Sequence, residues 1–239
     1  LYSTTLVMLF LLPALTMRSF ADERRNKTDQ LLLTSPVGIP SIVMGKYFAQ
    51  LAVFAVPMAT AAIMPLVLTA FGTISLTSAY ATWLAYFLMG AACIAIGTFV
   101  SALTENQIIA AVCTFGSLLF LYLMPSIAGL ISGSAAASLA AFTVLAALLA
   151  LFLHWMTKSL VLPSAVFCVL EGGLAAVYFL KPAWLEGLFP KLLNSLALFG
   201  RFDNFVNGLF DISSLVYFVS VALLFVFFTC QGFEKRRWS

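Results

Sequence analysis

Charge is what this chain has least of. Lys, Arg, Asp and Glu make up 9% of its 239 residues, where soluble domains carry about 25%. So few cannot clothe a water-facing exterior, which excludes an ordinary soluble globule. The rest is lopsided to match: 63% of residues are apolar and the mean hydropathy is +1.08. Such a chain is stable only where lipid is the solvent for most of its surface.

Catalytic residue types are scarce too. The single histidine, His154, has no ligand partner, and beside Trp155 it reads as interfacial. Cys93, Cys113, Cys168 and Cys230 are scattered through apolar runs with no CxxC pair. They read as small buried residues, not as a disulfide framework or a metal site. No HExxH, GxSxG or GxxxxGK[ST] occurs, so no catalytic constellation is visible and the chain cannot hydrolyse ATP by itself.

What is present is a series of apolar runs. A helix needs about 20 such residues to cross the hydrocarbon core. Seven stretches qualify or nearly do, at roughly 1–16, 47–71, 79–101, 107–131, 135–156, 159–180 and 212–233. Their length predicts helices, since barrel strands give alternating segments of about ten residues. The expected fold is an all-α, polytopic transmembrane bundle over 1–239. The sequence opens Leu-Tyr-Ser inside an apolar run with neither a basic n-region nor a cleavage site. A chain lacking its N-terminal part, with one more span, is the expectation.

The charges that do occur are concentrated. Arg18, Asp22, Glu23, Arg24, Arg25, Lys27 and Asp29 fall within twelve positions, a third of all those in the chain. Alternate crossings put nine Lys and Arg on one side, with this segment, and three on the other. That asymmetry places the segment and the C-terminal EKRRWS in the cytoplasm. Asn26 or Thr28 can cap a short helix through Leu33, stopped by Pro36, Gly38 and Pro40. Lys46 stands where it can snorkel to the surface. The sequon Asn26-Lys27-Thr28 lies on the wrong side for glycosylation.

Other features are local. Pro57 and Pro65 kink the second span, either to let the bundle open or simply to optimise packing. Gly90, Ala91, Ala92, Ala95 and Gly97 let helices approach closely in the third. Thr104 or Asn106 can cap the helix that follows. Leu192, Leu196, Phe199, Phe202, Val206 and Leu209 form one helical stripe, predicting an amphipathic helix over about 186–211 on the outer side, either on the membrane surface or in a groove over the outer mouth of the bundle, with Trp184 in an interfacial belt. Glu171, in VLEGGLAAV, is an acid inside a span. It is either a functional group facing a cavity or a structural carboxyl satisfied by a neighbour. The two glycines after it predict a close helix.

These residues resemble a family. Pro13-Ala14-Leu15-Thr16-Met17-Arg18, Ala21 to Thr28, Leu31-Leu32, Ser35-Pro36 and Gly45-Lys46 are similar to the PALTMR…EER..GT.ELL…P…GK signature. That signature belongs to bacterial ATP-binding-cassette permeases of the type-2 exporter class, gliding-motility-type branch. The turn Ser101 to Gln107 resembles that branch's SALTENQ. Phe202-Asp203-Asn204-Phe205 with Gly208, Asp211 and Tyr217, and the basic Arg236-Arg237-Trp238 tail, are similar to it also. The spans at about 135–180 are additional to the common six-span plan.

The resemblance implies a permease subunit, not an enzyme. Its expected partners are a cytoplasmic ATPase carrying ATP and Mg, a second permease copy and membrane lipid, with no nucleic acid. The segment of about 17–46 would be the coupling helix that fits a cleft on the ATPase. Glu23, Arg24, Arg25 and Asp29 would make charge contacts there, with Thr28 beside them and Leu31 and Leu32 as apolar anchors. The competing reading is a stand-alone carrier built around Glu171.

Overall fold

The computed structural model describes residues 4–28, 37–71, 75–157, 161–180 and 182–237. Every regular element among them is helical, so the expected all-α polytopic bundle is what the chain forms. In order these are α1 (Thr5–Thr16), α2 (Ala21–Arg25), α3 (Ile39–Thr69), α4 (Leu76–Leu103), α5 (Gln107–Leu130) and α6 (Ala135–Thr157). There follow α7 (Val161–Leu180), α8 (Pro182–Leu185), α9 (Leu188–Leu196), a 3-10 turn at Gly200–Phe202, α10 (Asp203–Val206) and α11 (Ile212–Arg237). Each of the seven apolar stretches contains a long helix within its described residues. Among the described residues five, Thr5–Arg25, Ile39–Thr69, Leu76–Leu103, Gln107–Leu130 and Ile212–Lys235, are long and apolar enough to cross a membrane. Within α6 and α7 lie the shorter apolar stretches Ala135–Leu151 and Val166–Ala175.

Two compact units form, one from 1–122 with 198–239, the other from 123–197. The first is built around α4, against which α1, α3 and α11 all pack. Lipid tails are as apolar as leucine, so burial alone does not draw these helices together; close packing and hydrogen bonds do. Every α4 residue from Met89 to Thr98 is buried. A β-carbon at Gly90 would overlap the Phe54 ring, and one at Gly97 would sit 2.8 Å from Thr16 Cβ. The small-residue run is there because α1 and α3 pass too close for anything larger. Hydrogen bonds then fix the register. Tyr47 donates to Ala91 O (3.1 Å), Trp83 Nε1 to Met58 O (2.8 Å) and Tyr86 to Thr4 O (3.1 Å). Such interhelical bonds stabilise by about 0.6 kcal/mol each in a bilayer.

α3 runs as one helix through Pro57 and Pro65. Proline at position 65 weakens the pairing of carbonyls one turn earlier, and the Tyr80 hydroxyl of α4 reaches one of them, Ala62 O, at 3.4 Å. α5 starts as expected: the Asn106 side chain accepts the Ile108 N–H at 2.9 Å, while Thr104 donates to Asn106 O instead of capping.

The stripe over 186–211 does not form one helix. Gly187 and Gly208 take left-handed backbone, φ +67° and +78°, and α9, the 3-10 turn and α10 divide the segment between them. Leu192, Leu196, Val206 and Leu209 are exposed, whereas Phe189, Leu193, Leu198, Phe199, Phe202 and Phe205 are buried. In the first unit Phe202 packs on Tyr86 and Phe199 on Tyr122, ring centroids 5.6 Å apart in both pairs.

The second unit is an α6–α7 hairpin with α8 and α9 laid against it. Phe142 meets Phe189 edge-on at 5.1 Å, and Gly187 N–H donates to Gly133 O at 2.9 Å. Val169, Leu170, Gly173, Leu174, Trp184, Leu185 and Leu188 line a cavity of about 640 Å³.

Candidate functional site

The dense charge cluster sits at one end of the first unit, where α1 gives way to α2. α1 closes with Met17 N–H on Pro13 O (2.9 Å) and Ser19 N–H on Thr16 O (3.0 Å). α2 then carries Asp22 and Glu23 in its first turn and Arg24 and Arg25 in its last, the order a helix dipole favours. Five residues cannot hold a helix alone. Partners from elsewhere in the chain hold this one.

Ser101, in the last turn of α4, supplies the start. Its hydroxyl accepts the N–H groups of Phe20 and Ala21, each at 3.1 Å, and donates to Met17 O at 3.1 Å. One hydroxyl offers one donor and two acceptor sites, so Ser101 is saturated, and it satisfies N–H groups that a helix start leaves open. Arg24 works the other way. Its guanidinium donates to Ala102 O (2.9 Å) at the C-terminal end of α4 and to Glu105 Oε1 (3.1 Å). The Arg24 side chain is only 8% exposed, while Glu105 is 71% exposed.

α3 and α5 contribute next. Lys46 was expected to reach for the surface; instead its ammonium turns inward to Ser19 O and to Glu23 Oε1, both at 2.5 Å, and lies 4.4 Å from the Phe20 ring centroid. The inward route wins because it offers a carboxylate, a carbonyl and a ring face together. One turn further along α3, Gln50 donates to Ser19 Oγ (2.5 Å), and its carbonyl oxygen lies 3.1 Å from the Thr98 hydroxyl. Gln107 of α5 donates to Asp22 Oδ1 at 2.6 Å. Phe20 packs on Phe233 of α11, centroids 4.7 Å apart.

α2 ends in a Schellman turn. Thr28 N–H reaches Glu23 O (2.9 Å) and Lys27 N–H reaches Arg24 O (3.1 Å), with Lys27 in left-handed backbone at φ +56°, where such turns usually place glycine. Asn26 is thus the C-cap of α2, while the short helix expected through Leu33, with Asn26 or Thr28 as its cap, lies outside the described residues. Thr28 Oγ1 also donates to Glu23 O at 3.2 Å.

Of the site residues named from sequence, Glu23 and Arg24 are drawn into the protein and Arg25 and Thr28 are exposed. Asp29, Leu31 and Leu32 lie outside the described residues. The sequence reasoning passed over Ser101, Glu105 and Gln107 as site residues and met them only as a turn; their signal was the polar break in an apolar chain.

This geometry coincides with a family match. A model described as ABC-2 family transporter protein matches residues 1–180, three-quarters of the chain and the whole of the α1–α5 end just described. The chain belongs to the ABC-2 transporter family. It is thus a multi-pass membrane protein and the transport component of an ABC-type system. No curated protein and no solved structure matches it. For the ABC-2 transporter, the charged end is built around one short helix that four longer helices grip.

Glu171 belongs to the second unit and to none of this. Its Oε1 is buried with no hydrogen-bond partner. Among the described residues no atom lies within 4 Å of a β-carbon built at Gly172 or Gly173, so the close helix expected beside them is not found there. The His154 side chain lies outside the described residues.

Proposed function

We propose that this ABC-2 chain is the membrane subunit of an ATP-driven exporter, and that α2 with its flanking turns is where a separate cytoplasmic ATPase delivers its stroke. One observation carries the reading: α2 is too short to stand alone and is tied to α3, α4, α5 and α11 at once. A push on α2 is a push on four spans. ATP and Mg stay in the ATPase; this chain supplies the pathway, pairs with a second permease copy and faces lipid.

The finer placement follows from residues. The match of Ser101 to Gln107 and of Ala21 to Thr28 to their signatures favours the gliding-motility-type branch and a bacterial inner membrane. The nine-to-three division of Lys and Arg favours a cytoplasmic C-terminus. A carrier built on Glu171 has no such support.

The test uses the partner ATPase, sought in the neighbouring reading frame and co-purified with the permease in nanodiscs. Arg24→Ala cuts the ties to Ala102 and Glu105 without touching the exposed face. We expect ATPase binding to persist and stimulation of ATP hydrolysis to fall about tenfold, roughly 1.4 kcal/mol in barrier terms. Wild-type permease that neither binds nor stimulates the ATPase would sink the assignment.

A further inference from the structure

The sequence presents Arg18 to Thr28 as a mixed-sign string, but the fold sorts it by sign. Glu23 spends its charge on Lys46, and the Arg24 charge is matched by Glu105. Asp22 is half-buried, with its Oδ1 accepting the side-chain amides of Gln107 (2.6 Å) and Asn26 (3.4 Å). What stays exposed is Arg18, Arg25 and Lys27, and no salt bridge engages them among the described residues. The outward face of this segment is cationic, with Lys27 at its tip, lifted there by the left-handed turn.

We infer that the surface receiving this segment is acidic: a cluster of Asp and Glu carboxylates on a soluble protein, engaged by Arg25 and Lys27 with Arg18 alongside. This rests on the functional reading above and names the chemistry of the partner at the same site.

The other source of negative charge is an anionic lipid headgroup, and the surface argues against it. A helix that lies on a membrane needs an exposed apolar face to sink into the headgroup boundary. Phe20 and Ala21 are turned inward, at 1% and 0% exposure, and the exposed side chains from Arg18 to Thr28 are Arg18, Arg25, Asn26, Lys27 and Thr28, none of them apolar. Nothing here inserts. An exposed face that is all polar, on a helix clamped from behind, fits a hydrated protein cleft. Arginine adds geometry to charge, since its planar fork pairs with a carboxylate through two parallel bonds.

The experiment measures affinity between the permease, in phosphatidylcholine nanodiscs with or without phosphatidylglycerol, and the same partner ATPase. Exposed charges on two surfaces are screened by salt, and reversing them turns attraction into repulsion. Raising salt from about 0.05 M to about 0.5 M should weaken binding about tenfold. The double variant Arg25→Glu with Lys27→Glu should weaken it at least about tenfold at low salt and flatten the salt dependence. Lys191→Glu, which reverses an exposed cation of the second unit, should leave affinity unchanged, so a loss there would overturn the inference by showing a general charge effect. Hydrogen exchange over 17–25 should match wild type in the double variant, showing that α2 is still folded.

ATPase that binds the double variant as well as wild type, at all salt levels, overturns the acidic partner and leaves coupling standing. Loss of retained phosphatidylglycerol in the double variant, with ATPase affinity intact, overturns it in favour of a lipid headgroup. Wild-type permease that binds no ATPase removes the functional reading and this inference with it.

Discussion

The two units handle polarity and small residues in opposite ways. In the first, Gly97 and Gly90 sit against Thr16 and Phe54 with no room for a β-carbon, and Ser101 makes three hydrogen bonds. In the second, Gly172 and Gly173 have nothing within 4 Å, and Ser138 Oγ and Glu171 Oε1 are buried without partners. A membrane interior gives no hydrophobic reason for helices to associate, so specificity has to come from fit and from satisfied polar groups. By that measure the first unit is tightly specified and the second is loosely held together. The contrast is not total, since Thr114 Oγ1 and Glu23 Oε2 in the first unit also lack partners, and Gly45, Gly116 and Gly232 there also face open space.

The largest expected effect compares glycines. Gly97→Ala forces a β-carbon onto Thr16 and should destabilise the protein by about 3 kcal/mol through overpacking. Gly173→Ala adds a methyl in open space and should be neutral or stabilising by up to about 1 kcal/mol, from helix propensity. Thermal unfolding in detergent reads both; equal losses would erase the distinction between the units.

A smaller effect compares serines. Ser101→Ala strands the N–H groups of Phe20 and Ala21 and should cost about 2 kcal/mol. Exchange of amides 17–25 should rise in the same variant. Ser138→Ala deletes a hydroxyl that bonds to nothing and should cost close to nothing. A matching loss at Ser138 would mean that the second unit is specified as closely as the first.

The smallest is a pH effect. Asp211, just ahead of α11, accepts the Ser214 hydroxyl (2.6 Å), the Ser213 N–H (3.0 Å) and the Asn204 amide (3.4 Å). These bonds, that from Ser214 foremost, hold its carboxyl below the ordinary carboxylate range. A folded value below the unfolded one means stabilisation complete above the unfolded pKa of about 3.9 and lost as pH falls through the folded value. The melting difference between wild type and Asp211→Asn should therefore shrink below about pH 4. A difference that grows on acidification would contradict the sign.

Much of the helical plan was legible because a span needs length and apolarity, and both are written linearly. The Asn106 cap and the close approach at Gly90 and Gly97 were legible for the same reason, each being a local requirement. The stripe at 186–211 misled because lipid rewards apolar side chains on the outside as well. Leu192 and Leu209 are apolar and exposed, so periodicity could not say which face turned inward. The charged segment was found, but not its sorting. Arg24 meets Ala102 and Glu105 some 80 residues away in sequence, and no spacing rule reaches that far. Lys46 misled because snorkelling assumes that water is the best partner on offer, and Glu23 was closer.

Ser101 has a geometric consequence. It joins the first turn of α2 to the last turn of α4, and α4 is a 28-residue helix, about 42 Å long at 1.5 Å per residue. A rod of that length is a lever. If α2 tilts it by about 5°, the end at Leu76 moves by about 4 Å. That end, with Ser75, Ser78, Tyr80, Phe205, Gly208, Leu209 and Phe210, walls a cavity of about 600 Å³. A displacement of an ångström or two at the charged end would thus arrive, magnified, at that cavity.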